Sequence, residues 1–108
     1  EGQLEGGVMM GLGYALTEEL KVEEGRVLSD SFAKYKVPRI HQIPEIVPII
    51  VEHEAAEGPY GAKGVGEITS IPTTAAITNA IYAACGARIF SLPATPTRIL
   101  AALEGGNE

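Results

Sequence analysis

Ten residues, GPYGAKGVGE from Gly58 to Glu67, gather four glycines, Lys63 and a closing carboxylate. Glycines let backbone N–H groups approach a ligand with no side chain in the way. A helical pattern begins a few residues later, so its positive end lies close to the loop. An anionic, hydrogen-bonding ligand suits such a place. Glu67 fits poorly beside a bare phosphate, because two anions repel. It fits well as a base that takes a proton from a bound ligand. A surface glycine loop ending in a solvated glutamate is the plainer alternative, and the residues alone leave both open.

The loop fails the common phosphate fingerprints. A Walker loop requires Gly-Lys-Ser/Thr, whereas Lys63 follows Ala62 and precedes Gly64. A dinucleotide loop requires G-x-G-x-x-G, and both Gly64-Val65-Gly66 and Gly11-Leu12-Gly13 lack the third glycine. A small nucleotide-binding protein is therefore a weak third reading. His41 and His53 have no cysteine or third histidine nearby, so no metal site is expected from them. Glu18-Glu19 and Glu23-Glu24 read as solvated surface charge. Cys85 lies near a helix C-terminus, which disfavours a thiolate, and reads as a small buried filler. Met9-Met10 read as packing residues, and no serine sits in a G-x-S-x-G elbow.

The elements that position this loop can be read in outline. Residues 3–20 carry Leu4, Val8, Leu12, Ala15 and Leu16 at helical spacing. Gly6, Gly7, Gly11 and Gly13 interrupt that pattern, each weakening a helix by about 1 kcal/mol against alanine. Such a helix must gain its stability from packing, and its small residues let another backbone come close. KVEEGRVL predicts a hairpin turning at Glu24-Gly25. SFAKYKVPRI is a connector in which Pro38 makes Val37 extended. Ile46–Val51 predicts a strand that Pro48 confines to an edge or a bulge. After the glycine loop, Thr69 or Ser70 caps a helix with Pro72 in its first turn, an apolar stripe at Ile77, Ile81 and Ala84, and a stop at Gly86. ARIFSLP is a short strand or extended stretch. Thr95 caps a last helix that begins at Pro96 and ends by Gly105.

The pattern is α+β, about three helices with a few short strands, in one domain or part of one over residues 1–108. With 108 residues, 45% hydrophobic and 20% charged, the chain has the composition of a globular domain. A net charge of −6 argues against a nucleic-acid partner. No segment approaches the ~20 apolar residues of a membrane span. A single cysteine and no visible secretory signal suit a cytoplasmic protein. The apolar pattern starts at once, without an initiator methionine, while the tail LEGGNE reads as a true end. The expectation is the C-terminal piece of something larger.

Four segments in order, GQLEGGVMMGLGYALTEEL, KYKVPR, GPYGAKGVGE and IPTTAAITNAIYAACGARI, resemble the C-terminal end of the molybdenum hydroxylases, the xanthine dehydrogenase and aldehyde oxidase family. The resemblance runs from Gly2 to about Leu103. It implies the C-terminal part of a molybdopterin-binding subdomain in the large subunit. It implies that Glu67 is the catalytic glutamate, taking a proton from a metal-bound hydroxyl that attacks an electron-poor carbon. By the same resemblance Gln3 contacts the cofactor, and the backbone from Lys63 through Gly64 and Val65 to Gly66 lines it. The implied cofactor is molybdopterin, with a cytosine dinucleotide form admitted. Iron–sulfur clusters and FAD are implied on other domains or subunits, with a purine-like N-heterocycle or an aldehyde as substrate.

The glycines would then admit a bulky cofactor against the backbone, and the glutamate would close the loop where the reacting oxygen sits. This chain continues GEITSIP where many relatives have two prolines after GVGE, a change that falls beyond Glu67. No Cys-rich cluster pattern is present. Two readings follow. In the first, the chain is part of a hydroxylase large subunit and inactive alone. In the second, it is a non-catalytic interaction module on the same scaffold. Either leaves apolar surface exposed, so the isolated chain is expected to self-associate.

Overall fold

The computed structural model describes residues 1–105; the last three residues of the LEGGNE tail lie outside that range. Three helices and one hairpin make up the regular structure: α1 (Gly2–Leu16), β1 (Val22–Glu23), β2 (Arg26–Val27), α2 (Ile71–Cys85) and α3 (Pro96–Leu103). The architecture is α+β, as the sequence predicts.

The buried face of α1 is its glycine stripe, with Gly7, Gly11, Gly13 and Ala15 buried, while Leu4, Val8, Leu12 and Leu16 remain half-exposed. The reason is close approach. A β-carbon on Gly7 would collide with the Thr69 side chain, and one on Gly11 would lie 2.5 Å from Thr73 Cβ. Thr69 and Thr73 are one helical turn apart, as are Gly7 and Gly11, so threonine ridges fill glycine notches. Thr74 adds a hydrogen bond from its hydroxyl to the Gly11 carbonyl, 3.3 Å.

The rest of the chain is routed around α1. β1 and β2 pair antiparallel, Val22 opposite Val27 and Glu23 opposite Arg26. Their turn places Glu24 (φ 47°) and Gly25 (φ 78°) in the left-handed region, the geometry that two-residue hairpins favour. The connector then runs back beside α1. Pro38 packs near Gly13, and Ile43, Pro44 and Ile46 line a cleft with Gly2, Gly6 and Met9. The chain is thereby returned to the start of α1, where the glycine loop follows. α2 departs alongside α1 and stops at Gly86 (φ 79°). Ala94 N–H then bonds the Ala15 carbonyl, 2.6 Å, closing the path at the far end of α1. Thr95 caps α3, its hydroxyl accepting from Arg98 N–H at 3.3 Å, with Pro96 at the first position.

Two expectations need correction. Residues 46–51 form no strand: the described residues contain no strand beside them, and Val47 (72%), Ile49 (81%) and Val51 (85%) stand exposed. A strand is defined by its pairing, and this run makes none within the described residues. Ala84, at the end of the apolar stripe, is exposed. Cys85 is likewise exposed and no core filler; its thiol donates to the Ile81 carbonyl at 3.2 Å.

The core is correspondingly slight. The buried hydrophobic residues are three alanines, Ala15, Ala87 and Ala94, and no large side chain is fully buried among the described residues. The radius of gyration is 17.3 Å, against roughly 13 Å for a compact domain of this length. The surface of 8376 Å² compares with about 5,700 Å² for a compact monomer of this mass.

Candidate functional site

The glycine loop is held by a few backbone devices. Ala55 N–H bonds the Gly61 carbonyl and Ala62 N–H bonds the Pro59 carbonyl, both at 3.0 Å. Gly58 (φ 104°) and Gly61 (φ 70°) occupy conformations that glycine alone adopts freely. Tyr60 lies between them with φ 55° and a fully exposed ring. A bulky residue in the left-handed region is uncommon and stores strain; its glycine neighbours are the only sign of this in the sequence.

Glu67 opens a single 3₁₀ turn, Glu67–Thr69, directly before α2. The carbonyls on either side of it are each held twice. The Gly66 carbonyl accepts from Thr69 N–H at 3.2 Å and from the Thr69 hydroxyl at 2.8 Å. The Glu67 carbonyl accepts from Ser70 N–H at 2.9 Å and from the Ser70 hydroxyl at 2.8 Å. This corrects the expected capping role. Ser70 is the N-cap of α2, but neither hydroxyl accepts a bond from the first turn of the helix; both donate backwards to carbonyls three residues earlier. A donor proton is the half of a hydroxyl that a carbonyl needs.

The Thr69 hydroxyl also lies 3.1 Å from the Gln3 carbonyl, 66 positions away in sequence. The turn carrying Glu67 is thus fastened to the first turn of α1. Gln3, Gly66 and Glu67 line one cleft of ≈ 270 Å³ with Gly2, Gly6, Gly7, Met10, Thr69 and Ser70. Four of these are glycines, so part of the wall is bare backbone, and Met10 adds an apolar side chain. The N-terminus of α2 meets the cleft, placing the positive end of that helix beside it. A neighbouring cleft of ≈ 410 Å³ shares Gly2 and Gly6 and is otherwise mainly apolar.

Three of the residues expected at a site are brought together here: Gln3, Gly66 and Glu67. The other three, Lys63, Gly64 and Val65, lie exposed on the approaching loop and do not line this cleft. Lys63 Nζ is 3.4 Å from His53 Nδ1. A β-carbon built on Gly64 or Gly66 meets nothing within 4 Å, so the loop presents an open backbone face. Among the described residues, no three His, Cys, Asp or Glu side chains group as metal ligands.

Two of the carboxylates read as solvated charge are engaged. Glu18 accepts from the Tyr35 hydroxyl at 2.8 Å, which pushes the Tyr35 pKa up, chiefly because that hydrogen bond favours the neutral phenol. Glu19 accepts from Arg98 at 2.9 Å and pairs with Lys21 at 3.3 Å. The Arg98 hydrogen bond is the main cause holding the Glu19 carboxyl below its ordinary value. Both contacts brace the far end of α1 rather than the cleft. Glu23 and Glu24 are exposed.

Comparison with known proteins adds an independent line. Residues 1–44 match the family model of a molybdopterin cofactor-binding domain. The chain is similar to the xanthine dehydrogenase molybdenum-binding subunit of Escherichia coli, 40% identical over 101 residues, covering 92% of this chain and 13% of that protein. Among solved structures, it is similar to quinoline 2-oxidoreductase of Pseudomonas putida 86, with TM-score 0.87 and 29% identity, covering 95% of this chain and 14% of that one. It also resembles the aldehyde oxidoreductase of Desulfovibrio gigas, with TM-score 0.83 and 40% identity, covering 95% of this chain and 11% of that one. The chain thus spans a small part of the length of each relative.

Proposed function

Because the chain belongs to the xanthine dehydrogenase and aldehyde oxidase family of molybdenum hydroxylases, whose cofactor is molybdopterin, we propose that residues 1–108 form the C-terminal part of the molybdopterin-binding domain of such an enzyme. In this reading the chain contributes the catalytic base and one wall of the cofactor site, and is inactive alone. The observation that carries it is the shared cleft of Gln3 and Glu67.

The residues present fit the cofactor. A pterin has a hydrogen-bonding edge and its side chain ends in a phosphate. The cleft offers glycine backbone, the Gln3 amide and the N-terminus of α2, which suit both. At ≈ 270 Å³ it falls short of the roughly 300–1,000 Å³ typical of an enclosing ligand pocket. These residues therefore suit one edge of the group, with the remaining walls supplied by the rest of the large subunit.

When bound, the cofactor supplies the molybdenum centre and its two-electron redox chemistry. The overall change is RH + H₂O → ROH + 2 H⁺ + 2 e⁻, with the electrons passing to iron–sulfur and flavin partners on other domains or subunits. The part of this chain is to hold and move a proton. The Glu67 carboxylate accepts it, becoming the neutral acid. The Gln3 side chain donates or accepts at the cofactor edge and so orients it. Lys63, Gly64, Val65 and Gly66 offer backbone along the approaching loop. Purine-like N-heterocycles or aldehydes are the proposed substrates, and the cytoplasm the proposed location. Among the described residues no helix is long and apolar enough to cross a membrane.

A non-catalytic interaction module would account for the exposed apolar surface equally well. It gives no role to the doubly anchored Glu67. The test is made on the complete protein: molybdenum analysis together with assays of purine and aldehyde hydroxylation. Molybdenum with hydroxylation is the expected result. A protein without molybdenum, made in a host that synthesises the cofactor, would refute the proposal.

A further inference from the structure

We propose that Thr69 is a positioning residue for the catalytic base: its hydroxyl ties the Gly66–Glu67 peptide to the first turn of α1 and so holds Glu67 and Gln3 in one frame. The inference rests on the assignment of Glu67 as base.

Thr69 is 9% exposed and is, with Ser29, one of two buried polar side chains among the described residues. Its Oγ1 lies 2.8 Å from the Gly66 carbonyl and 3.1 Å from the Gln3 carbonyl. One hydroxyl carries one proton, so the two carbonyls share it in a three-centre bond weighted toward Gly66. The Gly66 carbonyl and the Glu67 N–H belong to one planar peptide unit. Fixing that oxygen fixes the plane from which the Glu67 side chain departs. The hydroxyl occupies the space vacated by the missing β-carbon of Gly7, which leaves it little room to turn elsewhere.

Neither carbonyl depends on this hydroxyl for its only donor. Gly66 O also accepts from Thr69 N–H, and Gln3 O has the amide donor of its own helix. Removing the hydroxyl therefore strands no buried group. It removes the side-chain hydrogen bond that joins the turn to α1 and leaves the packing against Gly7. The effect should fall on the geometry of the base, and hence on turnover and its pH dependence, more than on cofactor retention. Ser70 is the weaker partner, because its hydroxyl reaches only the local Glu67 carbonyl.

The test uses the holoenzyme with Thr69→Ser and Thr69→Ala. Both lose the same methyl group and they differ in the hydroxyl alone. Thr69→Ala is expected to lower kcat about tenfold or more, with KM and molybdopterin occupancy held and the acid limb of the kcat/KM–pH profile displaced. Thr69→Ser is expected to stay within about threefold of wild type and to keep its profile. Equal behaviour of the two variants, whether both normal or both impaired, would overturn the proposal. Should Thr69→Ala fail to accumulate, a crystal structure of the wild-type holoenzyme decides. Thr69 Oγ1 within about 3.2 Å of both carbonyls supports the link, and a hydroxyl rotated away from Gln3 refutes it. Normal turnover of Glu67→Gln would refute the base assignment separately, and the same crystal structure would still decide whether Thr69 makes the link.

Discussion

The hydroxyl of Thr69 occupies the place where Gly7 would carry a β-carbon. The two residues are a single contact seen from opposite sides: a helix that omits a side chain and a turn that inserts one. Their consequences can be separated by substitution. Gly7→Ala puts a methyl group against Thr69 and should destabilise the protein by about 1–3 kcal/mol, the usual effect of overpacking. Gly6→Ala meets nothing within 4 Å and should stabilise α1 by up to about 1 kcal/mol through helix propensity. Denaturant titration of both variants in the same background measures the contrast. Equal stability would mean that the notch is not filled in solution.

Glu67→Gln keeps the size of the side chain and removes its basicity. In the complete enzyme it should lower kcat by about 10²-fold or more while molybdenum content and α1–α2 packing hold. Steady-state turnover alongside metal analysis reads both quantities. A variant with normal turnover would remove Glu67 from the mechanism.

The sequence made much of this scaffold legible and left one part obscure, for a physical reason. All three helices and the hairpin were readable because their signals are local: a glycine stop after Cys85, a capped Thr95-Pro96 start, a Glu24-Gly25 turn. The failures, Ile46–Val51 as a strand and Cys85 as buried, both depended on what covers those residues. Periodicity tells which face is apolar; it does not say which body covers it. Glu67 was raised by its place at the end of the glycine loop and Gln3 only by family resemblance; nothing in their types or spacing joins positions so far apart. The role of Thr69 was hidden behind a better-known one, that of helix cap. The helical register that faces Gly7 and Gly11 with Thr69 and Thr73 was the available clue.

The isolated chain should self-associate through its uncovered apolar run. Sedimentation at increasing concentration is expected to show species larger than the monomer, and Ile49→Lys with Val51→Lys should shift the distribution toward the monomer. A clean monomer at high concentration for the unsubstituted chain would show that the run is covered by some other means.

The Glu19–Arg98 pair gives a pH signature far from the cleft. The Glu19 carboxyl is held below its ordinary 4.5, first by the Arg98 hydrogen bond. A lowered folded-state pKa means that the unfolded chain binds the proton more readily. The associated stability is present above pH 4.5 and is lost as pH falls through the lower folded value. Because the pair is solvent-accessible the effect is small. Glu19→Gln should lower stability slightly in the neutral range and flatten the acid limb of a stability–pH curve, so that variant and wild type converge at low pH. Thermal melts across the acid range would detect it, and superimposable curves for variant and wild type would exclude a contribution from the pair.

The anchors around Glu67 differ sharply in reach. Thr69 and Ser70 bond carbonyls three positions back, whereas the Gln3 link spans 66 positions. Short loops close in tens of nanoseconds, and long ones carry a greater entropic barrier. The turn bearing the base can therefore take shape while the chain is still largely open, and the cleft exists only once α1 has docked. The site thus joins a local turn to a helix distant in sequence, and its cleft depends on the long-range contact.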